Sequence, residues 1–206
     1  MKKCILLVFI LAISYLVFQQ DFTFKLSHDI ENQPISTLNQ IPITCQDCDL
    51  KQTILTQYQN ESYPIPAYIL PFLNQFIMVP QSSLDELFSP LTSGYTKTYF
   101  ENDQYISHEI FISDTLFRKT TLLHEALHVI DAILQISTSD DFIDLMNQEM
   151  NTSYNERIYE YYESDAFASE YFVESYINYL EDPVFFEVLQ PKTFRFIKEI
   201  ESFLIE

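Results

Sequence analysis

The segment Thr121-Leu-Leu-His124-Glu125-Ala-Leu-His128-Val-Ile-Asp131 gives the most direct indication of how this chain folds and of the chemistry it carries. Its apolar residues and those just after it recur at helical spacing and form one apolar face, made of Leu122, Leu123, Leu127, Ile130 and Ile133. The two histidines stand one helical turn apart and therefore share a face. The pattern predicts a buried helix that presents both imidazoles together.

The order His124-Glu125-x-x-His128 is the HExxH pattern of zinc-binding helices. Both imidazoles can reach one metal ion while Glu125 lies beside it. Zinc held by neutral nitrogens lowers the pKa of its bound water, and an adjacent carboxylate can take the proton and return it to a leaving amine. The pattern thus indicates hydrolysis by a zinc-activated water with Glu125 as general base, whereas the alternative is a chance match in an ordinary helix.

A third metal ligand has to come from elsewhere in the chain. Catalytic zinc sites use three protein ligands plus water, and no histidine follows His128, so Asp or Glu must supply it. Glu170 and Glu174 stand one turn apart in a helical pattern. Glu170 is predicted to bind the metal, and Glu174 to receive the outer N–H of a ligand histidine. The alternative is an acidic, solvent-facing helix surface that also includes Glu163 and Asp165.

Three blocks in the C-terminal half, residues 124–131, 170–180 and 191–197, resemble the family of zinc metallopeptidases that includes the catalytic domain of anthrax lethal factor and the secreted Pro-Pro endopeptidases. The order of the three blocks makes this resemblance more specific than HExxH alone. Leu127 and Val173 depart from the family pattern, which usually has Gly and Ala there. Neither departure removes a functional group, but both add bulk near the predicted site.

The resemblance implies one Zn²⁺ per chain, bound by His124, His128 and Glu170, with Glu125 as base and Glu174 as the supporting carboxylate. It also implies a tyrosine before the third ligand, whose hydroxyl stabilises the tetrahedral oxyanion. This role is assigned to Tyr162, with Tyr159 and Tyr161 as alternatives.

The predicted fold class is α+β and mainly helical, with a small mixed sheet packed on a helical bundle that contains the HExxH helix, as in zincins. Strands are predicted at 75–79 and 105–112, and the second is expected to be an edge strand able to pair with substrate backbone. Helices are predicted at 47–60, 83–88, 113–134, 140–150, 165–180 and 193–205. Residues 21–44 and the surroundings of Gly94 are expected to be irregular.

The N-terminus has the composition of an export signal, with Lys2 and Lys3 before an apolar run over residues 4–18. Residues 1–20 are predicted to be a signal peptide or an N-terminal membrane anchor, and residues 21–206 a single zinc metallopeptidase domain. The protein is accordingly expected to be secreted, or anchored on the extracellular face, with membrane contact only through an uncleaved N-terminal segment.

The chain is strongly acidic, with 30 Asp and Glu against 11 Lys and Arg. Nucleic acid is therefore excluded as a partner, because phosphate contacts need basic surface. The expected partner is a peptide or protein substrate. The acidic surface either attracts cationic peptides or only keeps an exported protein soluble.

Cys45 and Cys48 are the only cysteine pair after the N-terminal segment, and they are predicted to form a local disulfide or to remain two free thiols.

Taken together, the patterns favour a secreted zinc-dependent endopeptidase. The alternative is a catalytically silent extracellular binding module on the same fold.

Overall fold

The computed structural model describes residues 36–38, 41–47, 52–87, 92–150 and 166–205. All of them belong to one compact unit, Asn32–Glu206. The predicted signal peptide or anchor, residues 1–20, lies outside the described residues. Among the described helices, none has the length and apolar character needed to cross a membrane.

A five-stranded mixed sheet forms one layer of the fold, in the order β1-β2-β3-β5-β4. Its strands are β1 (Ser36–Leu38), β2 (Ile41–Cys45), β3 (Phe76–Val79), β4 (Gly94–Glu101) and β5 (Gln104–Ser113). The central pairs β2–β3 and β3–β5 are parallel, while β1–β2 and β4–β5 are antiparallel. β4 is therefore an edge strand of this sheet.

Seven α-helices, together with a short 3-10 helix at Leu70–Phe72, account for 56% of the described residues. They are α1 (Gln52–Glu61), α2 (Gln81–Leu87), α3 (Thr121–Leu134), α4 (Asp140–Glu149), α5 (Phe167–Glu181), α6 (Pro183–Leu189) and α7 (Pro191–Ile205). The prediction of a mainly helical α+β chain with a small mixed sheet is confirmed.

Helix α3 lies between the sheet and the other helices. It contacts β4 and β5 on one side and α5 on the other. Most of its apolar side chains are fully buried, whereas Ile133 and Leu134 near its end are partly buried. Each fully buried Leu, Ile or Val side chain contributes about 1.5–3 kcal/mol of transfer free energy. One face of α3 therefore packs against strand β4, and another face packs against helix α5.

The predicted start of this helix at Ser113 is wrong, because α3 begins at Thr121. The Ser113 hydroxyl accepts a hydrogen bond from the backbone N–H of Leu116 at 2.8 Å, which closes a separate turn. Asp114 accepts from the backbone N–H of Gln81 at 3.1 Å and so caps the start of α2. The two polar residues do satisfy backbone donors, but not those of the predicted helix.

Two segments predicted to be irregular are strands. Residues 36–38 and 41–45 form β1 and β2, and Gly94 begins β4. Residues 105–112 belong to β5, and β4 pairs along the side of β5 that faces away from β3. The prediction that residues 105–112 form an edge strand is therefore wrong. Asn102 and Asp103 connect the two strands with positive φ angles of 50° and 61°, as a tight hairpin turn requires. The Asn-Asp pair between two stretches rich in β-forming residues is the feature of the sequence that could have predicted this hairpin.

The short helix α6 was also missed. Pro183 occupies the first turn of α6, where a missing N–H costs nothing. Asp182 accepts a hydrogen bond from the backbone N–H of Phe185 at 3.0 Å and caps this helix.

Cys45, at the end of β2, is disulfide-bonded, so the alternative of a free thiol at this position is wrong. Cys48 lies outside the described residues.

The start of α7 is capped by a carboxylate from α4. Glu149 accepts hydrogen bonds at 2.8 Å from the backbone N–H groups of Lys192 and Thr193 and from the Thr193 hydroxyl. Glu149→Ala is expected to lower the free energy of unfolding by about 1–3 kcal/mol, because these donors lose their acceptor. Denaturant unfolding monitored by circular dichroism measures this. In the control, Gln148→Ala removes only an exposed contact and should change stability by less than about 0.5 kcal/mol; equal losses in both variants would contradict the capping role.

Candidate metal centre

Two histidines of α3 and one glutamate of α5 converge at a single point. The Nε2 atoms of His124 and His128 lie 3.2 Å apart. The carboxylate of Glu170 places Oε2 3.3 Å from His124 Nε2 and Oε1 3.4 Å from His128 Nε2. The three predicted ligands are thus brought together, with one ligand atom from each within 4.8 Å of the others, and they form a possible metal site.

The orientation of His128 is set by a chain of hydrogen bonds that begins at Asp131. The Ser169 hydroxyl donates to Asp131 Oδ2 at 2.5 Å, so its oxygen is left to accept from His128 Nδ1–H at 3.0 Å. Asp131 Oδ1 accepts from the backbone N–H of Ser137 at 2.7 Å, which holds the carboxylate in place. A neutral His128 therefore carries its proton on Nδ1 and presents a lone pair at Nε2.

His124 is oriented in the same way by Glu174. Its Nδ1 lies 3.3 Å from Glu174 Oε1, which leaves Nε2 to face Glu170. Glu174 thus stands where the sequence pattern placed it, at the outer nitrogen of a ligand histidine.

The convergent atoms fit a divalent metal ion. A tetrahedral ion with bonds of 2.0–2.1 Å separates its ligand atoms by roughly 3.3–3.4 Å, close to the distances among these three residues. Oε2 of Glu170 is buried and has no hydrogen-bond partner among the described residues, although His124 Nε2 is near. When both imidazoles are neutral, their two lone pairs and the carboxylate face one another as acceptors, and a cation between them would satisfy all three.

The electrostatics of the cluster point the same way. Burial alone lowers the pKa of His124, but the carboxylates of Glu170 and Glu174 outweigh burial and hold this pKa well above its ordinary value. Burial raises the pKa of Glu170, yet the neighbouring histidines hold it below its ordinary value. The cluster therefore stabilises positive charge at its centre, as a metal-binding site must.

Glu125 lies against strand β4 and is 4% exposed. Thr96 Oγ1 lies 2.9 Å from both the backbone oxygen and Oε2 of Glu125. Burial raises the pKa of the Glu125 carboxyl, while the two histidines and the Thr96 hydroxyl oppose this shift. Gly94 lies against the same side chain, at the start of β4.

The three candidate tyrosines, Tyr159, Tyr161 and Tyr162, lie outside the described residues. His108 is on β5, where its Nδ1 contacts the Tyr105 hydroxyl, and it is not among the residues that could hold the metal.

The sequence patterns assigned no role to four residues that contact Glu125 or orient His128: Gly94, Thr96, Asp131 and Ser169. Two of them left a signal. Gly94 is the only glycine of the chain, and Asp131 lies one turn after His128 on the same helix face. Ser169 and Thr96 had none, because small hydroxyl residues are common and only tertiary packing brings them to the cluster.

Ser169→Ala is expected to weaken metal binding about 10- to 100-fold, because His128 loses the acceptor that fixes its tautomer and ring angle. Competition with a chromophoric chelator measures the dissociation constant for zinc. Ser202, an exposed serine of α7, provides the matched control as Ser202→Ala. An unchanged dissociation constant in Ser169→Ala would show that the hydrogen-bond chain to Asp131 has no part in metal binding.

Comparison of the chain with protein-family models, with curated proteins and with solved structures finds no match in any of the three.

Proposed function

We propose that this protein is a zinc-dependent endopeptidase. The observation that carries the proposal is the convergence of His124 Nε2, His128 Nε2 and the Glu170 carboxylate beside the buried Glu125. Three ligands and a neighbouring carboxylate are the parts that metal-assisted peptide hydrolysis requires.

The donor set favours one zinc ion per chain. Imidazole nitrogens with a carboxylate suit zinc, and three protein ligands leave a position open for water or substrate. A zinc ion held there by His124, His128 and Glu170 would supply Lewis-acid chemistry, activating a water and polarising a peptide carbonyl. The chain's own residues supply the rest: His124, His128 and Glu170 bind, while Ser169 and Glu174 orient the rings.

Glu125 is the proton carrier in this proposal. Its carboxylate accepts a proton from the attacking water and later delivers it to the leaving amine nitrogen. The burial of Glu125 keeps competing water away from the carboxylate. Both histidines act electrostatically on this carboxylate. The oxyanion-stabilising role remains with Tyr162, with Tyr159 and Tyr161 as alternatives.

The substrate is an extended peptide or a protein segment. Among the strands that the structure describes, β4 stands at the edge of the sheet and contacts Glu125 through Thr96, so it is suited to pair with substrate backbone. Residues 105–112 were expected to pair with substrate backbone, but they lie inside the sheet. The role is therefore assigned to β4. The net charge of −19 favours cationic peptides over acidic ones.

The arrangement agrees with the resemblance to the lethal factor-like metallopeptidases, because the HExxH histidines of α3 meet Glu170 and Glu174 of α5. We therefore propose that the chain belongs to this zincin-like family and acts outside the cell, after export directed by residues 1–20. Pro-Pro cleavage is not part of the proposal, since no described contact selects proline.

A peptide-library cleavage assay tests the proposal. The zinc-loaded protein is incubated with mixed peptides with and without 1,10-phenanthroline, and products are sequenced by mass spectrometry. Cleavage that the chelator abolishes and added zinc restores is expected. Peptide binding without cleavage would instead identify the catalytically silent binding module.

A further inference from the structure

Gly94 touches the side chain of the proposed base. A Cβ atom at this position would lie 2.9 Å from both Cγ and Oε1 of Glu125, and 2.8 Å from Cγ2 of Thr121. Gly94 has no positive φ angle, so backbone conformation does not require glycine here. Glycine is required because β4 and α3 approach so closely that any side chain would displace Glu125.

Thr96, two residues further along β4, holds the same side chain from the same face of the strand. Its hydroxyl lies 2.9 Å from Oε2 and 2.9 Å from the backbone oxygen of Glu125. One hydroxyl therefore links the carboxylate to the helix backbone and limits the rotamers that Glu125 can adopt.

We propose that Gly94 and Thr96 are positioning residues that set the location of the Glu125 carboxylate. This inference rests on the proposed endopeptidase function. Gly94 leaves the space that Glu125 occupies, and Thr96 fixes its carboxylate within that space. Because neither residue contacts His124, His128 or Glu170 among the described interactions, their role concerns the base and not the metal.

Strand β4 also bears on substrate recognition. β4 is the strand proposed to pair with substrate backbone. One strand, β4, would then position both the substrate peptide and the Glu125 carboxylate. The distance between that carboxylate and the scissile carbonyl therefore depends on β4. Catalysis is sensitive to this distance, since a displacement of about 1 Å can cost roughly 100-fold in rate.

Thr96→Val and Thr96→Ser form the matched pair for the test. Valine keeps the shape but removes the hydroxyl, whereas serine keeps the hydroxyl. Thr96→Val is expected to lower kcat about 10- to 100-fold, with KM and the zinc dissociation constant each within about twofold of the parent. Thr96→Ser is expected to restore kcat to within about threefold. Equal kcat in Thr96→Val and the parent would overturn the inference for Thr96.

Gly94→Ala tests whether Gly94 leaves the space that the Glu125 side chain occupies. Its new methyl group is expected to lower kcat at least as much as Thr96→Val does, with zinc binding retained. The double variant Gly94→Ala/Thr121→Ser removes the Thr121 methyl and should recover stability, but kcat should stay low because the contacts with Glu125 remain. Recovery of kcat together with stability would show that Gly94 serves packing alone.

A spectroscopic measurement separates failure of this inference from failure of the proposed function. In zinc-loaded protein with ¹³C-labelled glutamate, the Glu125 carboxyl signal is assigned by its absence in Glu125→Gln. Thr96→Val is expected to shift this signal and Thr96→Ser to leave it in place, whether or not any peptide is cleaved. An unmoved signal in Thr96→Val refutes the inference even in an active enzyme. A shifted signal in a protein that cleaves nothing refutes the endopeptidase function while the positional link between Thr96 and Glu125 stands.

Discussion

Glu125→Gln is expected to bind zinc with the affinity of the parent protein and to hydrolyse peptides about 10²–10⁴ times more slowly. Glutamine has the size of glutamate, and its amide can keep the contact with Thr96 at 2.9 Å, so the fold and the three ligands are preserved. What the variant loses is the group that takes a proton from water and returns it to the leaving amine.

Steady-state kinetics on a peptide identified in the library assay measure this loss, and chelator competition measures zinc binding in the same preparation. Glu109→Gln is the matched control, because it changes a partly buried glutamate of β5 that is not among the candidate metal ligands. A Glu125→Gln variant that cleaves at the parent's rate would rule out Glu125 as the general base.

Glu170→Ala is expected to weaken zinc binding by more than about 100-fold and to abolish zinc-dependent cleavage. Loss of an outer hydrogen-bond partner of a metal ligand already costs about 10- to 100-fold in affinity, and loss of a ligand itself removes a direct bond and the negative charge between the two histidines. The zinc content of protein purified by gel filtration, measured by atomic emission, gives the direct readout.

Two other glutamates of α5 provide comparisons for the loss of zinc binding expected in Glu170→Ala. Glu174→Ala removes the partner of His124 Nδ1 and should weaken zinc binding less than Glu170→Ala does. Glu181→Ala changes an exposed glutamate at the end of the same helix and should have no effect. Stoichiometric zinc in purified Glu170→Ala would remove Glu170 from the ligand set.

Much of the helical layer was predictable because its signals are local. Apolar residues at helical spacing placed α3, α4, α5 and α7, and their predicted limits are correct to within two residues except for the start of α3. That start failed because Ser113 and Asp114 have the residue types of a helix cap. A cap pattern does not reveal whether the N–H groups it satisfies belong to the following helix or to another element.

The sheet was less predictable because strand pairing joins distant segments. β5 alternates clearly and was found, whereas β4 was missed because its single glycine was interpreted as a loop residue. The prediction of which strand is the edge failed for the same reason. An edge is a property of the whole sheet, and it cannot be recognised from one strand.

The sequence by itself determined the spacing of His124 and His128 and the presence of Glu125 beside them, because a helix of 3.6 residues per turn puts side chains four apart on one face. It also narrowed the third ligand to a carboxylate. Only the tertiary structure shows that Glu170 lies against both histidines, that Ser169 meets His128 from 41 positions away, and that Gly94 and Thr96 contact Glu125. These contacts depend on how α3 packs against α5 and β4, and such packing results from the burial of many side chains together, which no short pattern in the sequence encodes.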